Sequence, residues 1–169
     1  MMKKLFVVVI GLAACFGVSQ AQEIRTGYKG FADVAYSINA GNVDGASRIE
    51  VSTTHGYQSI PHLFVGAGVA YNYFHEVQSS ALPVFADVRG TLPIGKFSPF
   101  VDARIGYSVL GYTGLYFNPS IGCRLGVTDS FGLNLSVGYS MQDVEVDYYR
   151  GGSGKESAGA VTIRLGIDF

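Results

Sequence analysis

Three histidines, one serine-bearing loop and two Asp-x-Arg triplets are the residues of this 169-residue chain whose types and spacing invite chemistry. His55, His62 and His75 lack the close spacing of metal ligands, so no metal site is expected. His75 stands beside Glu76 and shortly before Ser79 and Ser80, the one grouping that combines a hydroxyl, a base and a carboxylate. Such a grouping would serve nucleophilic catalysis. The polarity of an ordinary loop explains it better, so no catalytic residue is assigned. Glycine is abundant at 23 residues, but no Gly-x-Gly-x-x-Gly opens a helix, and no cofactor is expected. The triplets Asp87–Val88–Arg89 and Asp102–Ala103–Arg104 place opposite charges two residues apart. Residues two apart share one face of a strand. On neighbouring antiparallel strands these triplets are suited to ion pairing across the ladder.

The elements that must position them read as strands throughout, with no helical period. The last twelve residues, 158–169, are the clearest case. Val161, Ile163, Leu165, Ile167 and Phe169 form one face, and Ala160, Thr162, Arg164, Gly166 and Asp168 the other. Seven further segments repeat this alternation, at about Gly27–Ile38, Ser47–Gln58, His62–His75, Ala81–Leu92, Pro99–Val109, Leu115–Val127 and Phe131–Gln142. Pro119 weakens the sixth, because proline cannot donate to a ladder. The links after strands 2, 4 and 6 read as short. Those after 1 and 7, residues 39–45 and 143–157, read as long loops; the short link after strand 5 fits this asymmetry poorly.

The N-terminus sets the compartment. Met1–Lys4 is basic, Leu5–Ala14 is apolar and uncharged, and Ser19–Gln20–Ala21 carries small residues at a cleavage site. This reads as a secretory signal peptide over 1–21, followed by one domain over 22–169. A second cut is open: Leu12–Ala13–Ala14–Cys15 resembles a lipobox that would leave Cys15 lipidated. Cleavage after Ala21 removes Lys3, Lys4 and Cys15, leaving ten basic against 13 acidic residues. That balance argues against a nucleic-acid partner. Cys123 then has no intrachain disulfide partner. It falls on an apolar face and reads as a small apolar residue.

Alternation alone does not say which face is outside. A soluble ligand-binding barrel would turn the apolar face inward; a membrane barrel turns it toward lipid. Three features favour lipid. The links alternate in length. Tyrosines sit toward both strand ends of the apolar face, with Tyr36, Tyr71, Tyr73, Tyr107 and Tyr139 at one end and Tyr28, Tyr57 and Phe169 at the other, as interfacial girdles do. The polar face is built of small residues, which suit a narrow lumen. Its charges carry both signs: Asp33, Arg48, Glu50, Asp87, Arg89, Asp102, Arg104, Arg124 and Arg164. Enclosed ions survive desolvation only when paired, so these nine are expected to form an internal ion network.

On strand number, face pattern and terminal Phe169, the chain resembles the small eight-stranded outer-membrane barrels, the OmpA-like and OmpX-like group. The resemblance implies an all-β, antiparallel up-and-down transmembrane barrel in the bacterial outer membrane. Both termini of the barrel would lie in the periplasm, and Phe169 would act as a signal to the outer-membrane assembly machinery. Outer-membrane lipid is the expected surrounding, with possible extracellular contacts through loops 39–45 and 143–157. The expected function is a structural or interaction scaffold with a filled lumen. The alternatives are a small porin-like channel and, since some such barrels modify lipid A, an enzyme using His75.

Overall fold

The computed structural model describes residues 26–40, 47–92, 94–128, 130–148 and 152–169, without the side chains of 144–156. The expected signal peptide, either cleavage site and most of the loop at 39–45 lie outside these residues. Eight strands follow one another: β1 (Gly27–Asn39), β2 (Arg48–Ile60), β3 (Leu63–Phe74), β4 (Ser79–Thr91), β5 (Phe97–Gly111), β6 (Gly114–Gly126), β7 (Gly132–Tyr148) and β8 (Gly152–Asp168). Each pairs antiparallel with its sequence neighbour, and β1 pairs with β8, so the sheet closes into an up-and-down barrel. Closure removes every exposed edge within the barrel wall, which is what a sheet in lipid requires.

The alternation in the sequence is the alternation of the wall. In β1, Asp33, Ala35 and Ser37 are buried while Val34, Tyr36 and Ile38 are exposed. The outward set is apolar on every strand; Val101, Ile105, Ile121 and Leu165 are each more than half exposed. The tyrosines named above, with Phe169, are also on the outside. The inward set is small, polar or charged, with five phenylalanines (Phe31, Phe64, Phe74, Phe85 and Phe100) filling the remaining bore.

Proline marks two of the breaks in the ladders. β6 runs through Pro119, which pairs with Ala103 of β5. On its other side the β6–β7 ladder skips from Phe117↔Met141 to Ser120↔Gly138 and resumes in the same register. The β3–β4 ladder makes the same skip opposite Pro83, between Val69↔Val84 and Asn72↔Ala81. A missing N–H removes a bond without shifting these two ladders, but on the other side of Pro83 the β4–β5 ladder shifts by one residue, between Ala81↔Gly111 and Pro83↔Ser108.

Loop lengths differ from the sequence expectation. The segment 143–157 does not form a long loop: it pairs with itself from Asp143↔Ser157 to Tyr148↔Gly152, leaving only 149–151 between β7 and β8. The links after β4 and β6 hold five residues each, longer than the two residues after β5. The link after β1 is the longest, at eight residues, as expected, and the rest of the asymmetry is one of strand length. β7 pairs with β6 only as far as Gln142, and β8 with β1 only as far as Ala160. Beyond those points the β7–β8 hairpin projects alone. The end carrying this hairpin is called the loop end, and the end carrying Gly27 and Phe169 the turn end.

Candidate functional site

The lumen gathers the chemistry of the chain. Every inward position comes from period-two alternation on a closed wall, so each charge is aimed at the barrel axis.

At the turn end the centre is Asp168, fully buried. Arg124 Nε of β6 lies 2.9 Å from both of its carboxylate oxygens, and Arg124 Nη2 lies 2.9 Å from Oδ2. Asn134 of β7 donates to Oδ1 at 2.9 Å, and Lys29 of β1 lies 3.2 Å from Oδ2. Above it Arg89 is held between two aromatic faces. Its guanidinium carbon stands 4.1 Å from the Phe31 ring centre and 4.4 Å from that of Phe100. Phe64 packs edge-on against Phe31. Arg89 Nη2 donates to Asp102 Oδ2 at 3.0 Å, and the Ser120 hydroxyl donates to Asp102 Oδ1.

At mid-height Arg104 spans the bore. Nη2 donates to Asp33 at 2.6 Å and Nη1 to Ser52 at 3.0 Å. Nε lies 3.4 Å from Asp87, and Nη1 lies 3.7 Å from Glu50. Glu50 also receives Arg164 at 3.3 Å and the Tyr116 hydroxyl at 2.9 Å. Arg164 reaches Asp102 at 3.9 Å, tying the two layers together. Toward the loop end the groups are mostly neutral. Asn72 donates to Gln142 at 2.8 Å, and Ser37 and Thr162 share a bond of 2.7 Å. Arg48 donates to Ser140 at 2.5 Å and lies over the Phe74 ring.

All nine charged residues singled out in the sequence point inward and are buried. The two triplets face each other in register, Asp87↔Arg104 and Arg89↔Asp102. Arg124 meets a residue outside that set, Asp168; Lys29 and Tyr116 also belong to the interior and were missed. Asp168 was legible, since it shares the polar face of Arg164. Tyr116 was obscured because an aromatic on a mixed strand reads as an outward residue.

The remaining candidates lie apart from one another. His55 is on the outer surface, between the Tyr28 hydroxyl (2.6 Å) and Thr53 (3.0 Å). His62 reaches the Thr91 carbonyl at 3.2 Å, at the turn end. At the loop end His75 stacks on Tyr36 and lies 3.8 Å from Glu76, while Ser79 and Ser80 are held in the β3–β4 ladder. Among the described residues no group of three His, Cys, Asp or Glu is placed to hold a metal. Phe169 lies outside, its ring against Gly30, where any Cβ would collide with it.

No family model matches the chain. No curated protein matches it either. Solved structures do. Neisserial surface protein A is 15% identical with a TM-score of 0.66, covering 84% of this chain and 96% of that one. A de novo designed transmembrane β-barrel is 17% identical with a TM-score of 0.53, covering 87% and 98%. The N-terminal β-barrel domain of Pseudomonas aeruginosa OprF is 12% identical with a TM-score of 0.52, covering 86% and 100%. The shared feature is the fold. A closed eight-stranded wall with an apolar outside and a polar inside defines a transmembrane β-barrel of the bacterial outer-membrane type.

Proposed function

We propose that this protein is an integral outer-membrane scaffold whose lumen is a paired-ion core rather than a passage, and whose contacts are made at the loop end. The observation that carries the reading is Arg104. It is fully buried at mid-height, with Asp33, Asp87 and Glu50 on three other strands around it. A guanidinium so placed blocks the bore, and the Phe31, Arg89 and Phe100 layer blocks it again nearer the turn end. Moving these charges aside would leave several buried carboxylates without their partner, which is strongly unfavourable.

The test is conductance of the purified protein in planar bilayers, together with membrane fractionation. A scaffold gives no resolved current steps and is recovered with the outer membrane. Stable unitary steps would establish the porin-like alternative, and recovery in the soluble periplasmic fraction would sink the lipid-facing assignment. We read the protein as non-enzymatic and assign Phe169 the role of an assembly signal. A mass assay of lipid A with His75→Ala tests the first, and membrane yield of Phe169→Ala the second.

A further inference from the structure

The β1–β8 ladder joins the two ends of the described barrel, and it is short. It holds nine register pairs, Phe31↔Asp168 to Asn39↔Ala160, as many as the interrupted β6–β7 ladder and against seventeen between β7 and β8. A ladder between distant chain segments carries the largest loop-closure cost in the sheet. Bonds that cross it beyond the backbone therefore have an outsized effect on whether the barrel stays shut.

Two such bonds and one close approach lie inside the barrel. Ser37 of β1 and Thr162 of β8 share a hydrogen bond near the loop end. Asp33 of β1 lies over Gly166 of β8, in space that any Cβ at 166 would occupy, and from there it reaches Arg104. At the turn end Lys29 of β1 meets Asp168 of β8. This last crossing differs in kind. Asp168 is also fixed by Arg124 of β6 and Asn134 of β7, so one buried carboxylate holds three strands besides its own. Outside, at the same end, Gly30 and Phe169 exchange two backbone hydrogen bonds, of 2.8 and 3.0 Å, beneath the Phe169 ring.

We propose that the Lys29–Asp168 pair is the closure clasp of the barrel: it locks the β1–β8 seam, and its removal makes this seam open before any other ladder. Arg124 and Asn134 pre-orient the carboxylate on the β6–β8 side. Lys29 is the only member of the cluster contributed by β1, so the charge pair forms as β1 docks. Asp168 is thus a positioning residue for strand closure rather than one more ion in a uniform core.

Hydrogen–deuterium exchange on the full chain, refolded in detergent micelles, tests this directly. Lys29→Met keeps the stem of the side chain and leaves Asp168 with Arg124 and Asn134, so the variant retains a satisfied carboxylate. The expected result is exchange faster by about tenfold or more at the amides of 31–39 and 160–168, with β3 and β4 unchanged. Lys29→Arg should restore protection. Asp87→Asn, which removes a lumen carboxylate away from the seam, should not reproduce the local pattern. Unchanged seam exchange in Lys29→Met, or equal acceleration around the whole barrel, would overturn the proposal.

Discussion

Arg104 of β5 donates to Asp33 of β1 at 2.6 Å across the full width of the lumen, joining strands that share no ladder. The same guanidinium touches Asp87 on its own neighbour β4 and Glu50 on β2. One side chain thus ties together four strands around the middle of the lumen.

Replacing Arg104 by methionine is expected to be the most damaging single change in the lumen. It keeps most of the volume but leaves Asp33 and Asp87 without their nearest cation. Breaking a buried pair in this way costs about 3–5 kcal/mol. Urea unfolding of the refolded protein, followed by heat-dependent gel mobility, should show the folded band lost at much lower denaturant. Adding Asp33→Asn to the same chain should recover part of the loss.

Gly166→Ala should be destabilising although it adds one methyl group. The new Cβ would meet the Asp33 carboxylate, which is already committed to Arg104. Overpacking of a filled interior costs about 1–3 kcal/mol. Gly90→Ala is the control, because its Cβ would stand at an ordinary 3.5 Å from Val101. Equal unfolding midpoints for the two variants would contradict the close approach at the seam.

Depth along the outer face should set the cost of a charge. Ile105→Arg places a cation near the middle of β5 on the apolar belt, where about 2–4 kcal/mol is expected. Ile60→Arg lies at the end of β2, and there about 0–1 kcal/mol is expected. Comparing refolding yields and urea midpoints in lipid vesicles checks the difference, and a reversed order would mean the belt does not contact lipid.

Replacing residues 144–156 with a short turn should leave the barrel intact. These residues pair only with each other, while β7 and β8 are tied to β6 and β1 below them. Heat-dependent gel migration and the urea midpoint are expected to stay within experimental spread of the full chain. Loss of the folded band would show that the projecting hairpin supports the wall.

What was legible in the sequence is what depends on parity alone. Strand number, the apolar face and the charged face all follow from side chains alternating along an extended chain, and each strand reports them independently. The facing of Asp87–Val88–Arg89 with Asp102–Ala103–Arg104 was also within reach, because neighbouring antiparallel strands joined by a short link bring nearby residues together. The segment 143–157 misled because its glycines and acidic residues resemble a loop. They form a hairpin whose two strands pair only with each other over most of its length.

The sequence by itself determined eight two-faced strands, one face apolar and the other carrying the charges, since a two-residue period is a local property. Only the tertiary structure decided which ions meet. Arg104 reaches Asp33 across the bore, while Arg164 reaches Glu50 and Arg124 reaches Asp168 past one intervening strand. The first two of these pairs form only once β1 has closed on β8, because shear and closure, not local pattern, set the height at which each side chain enters the lumen.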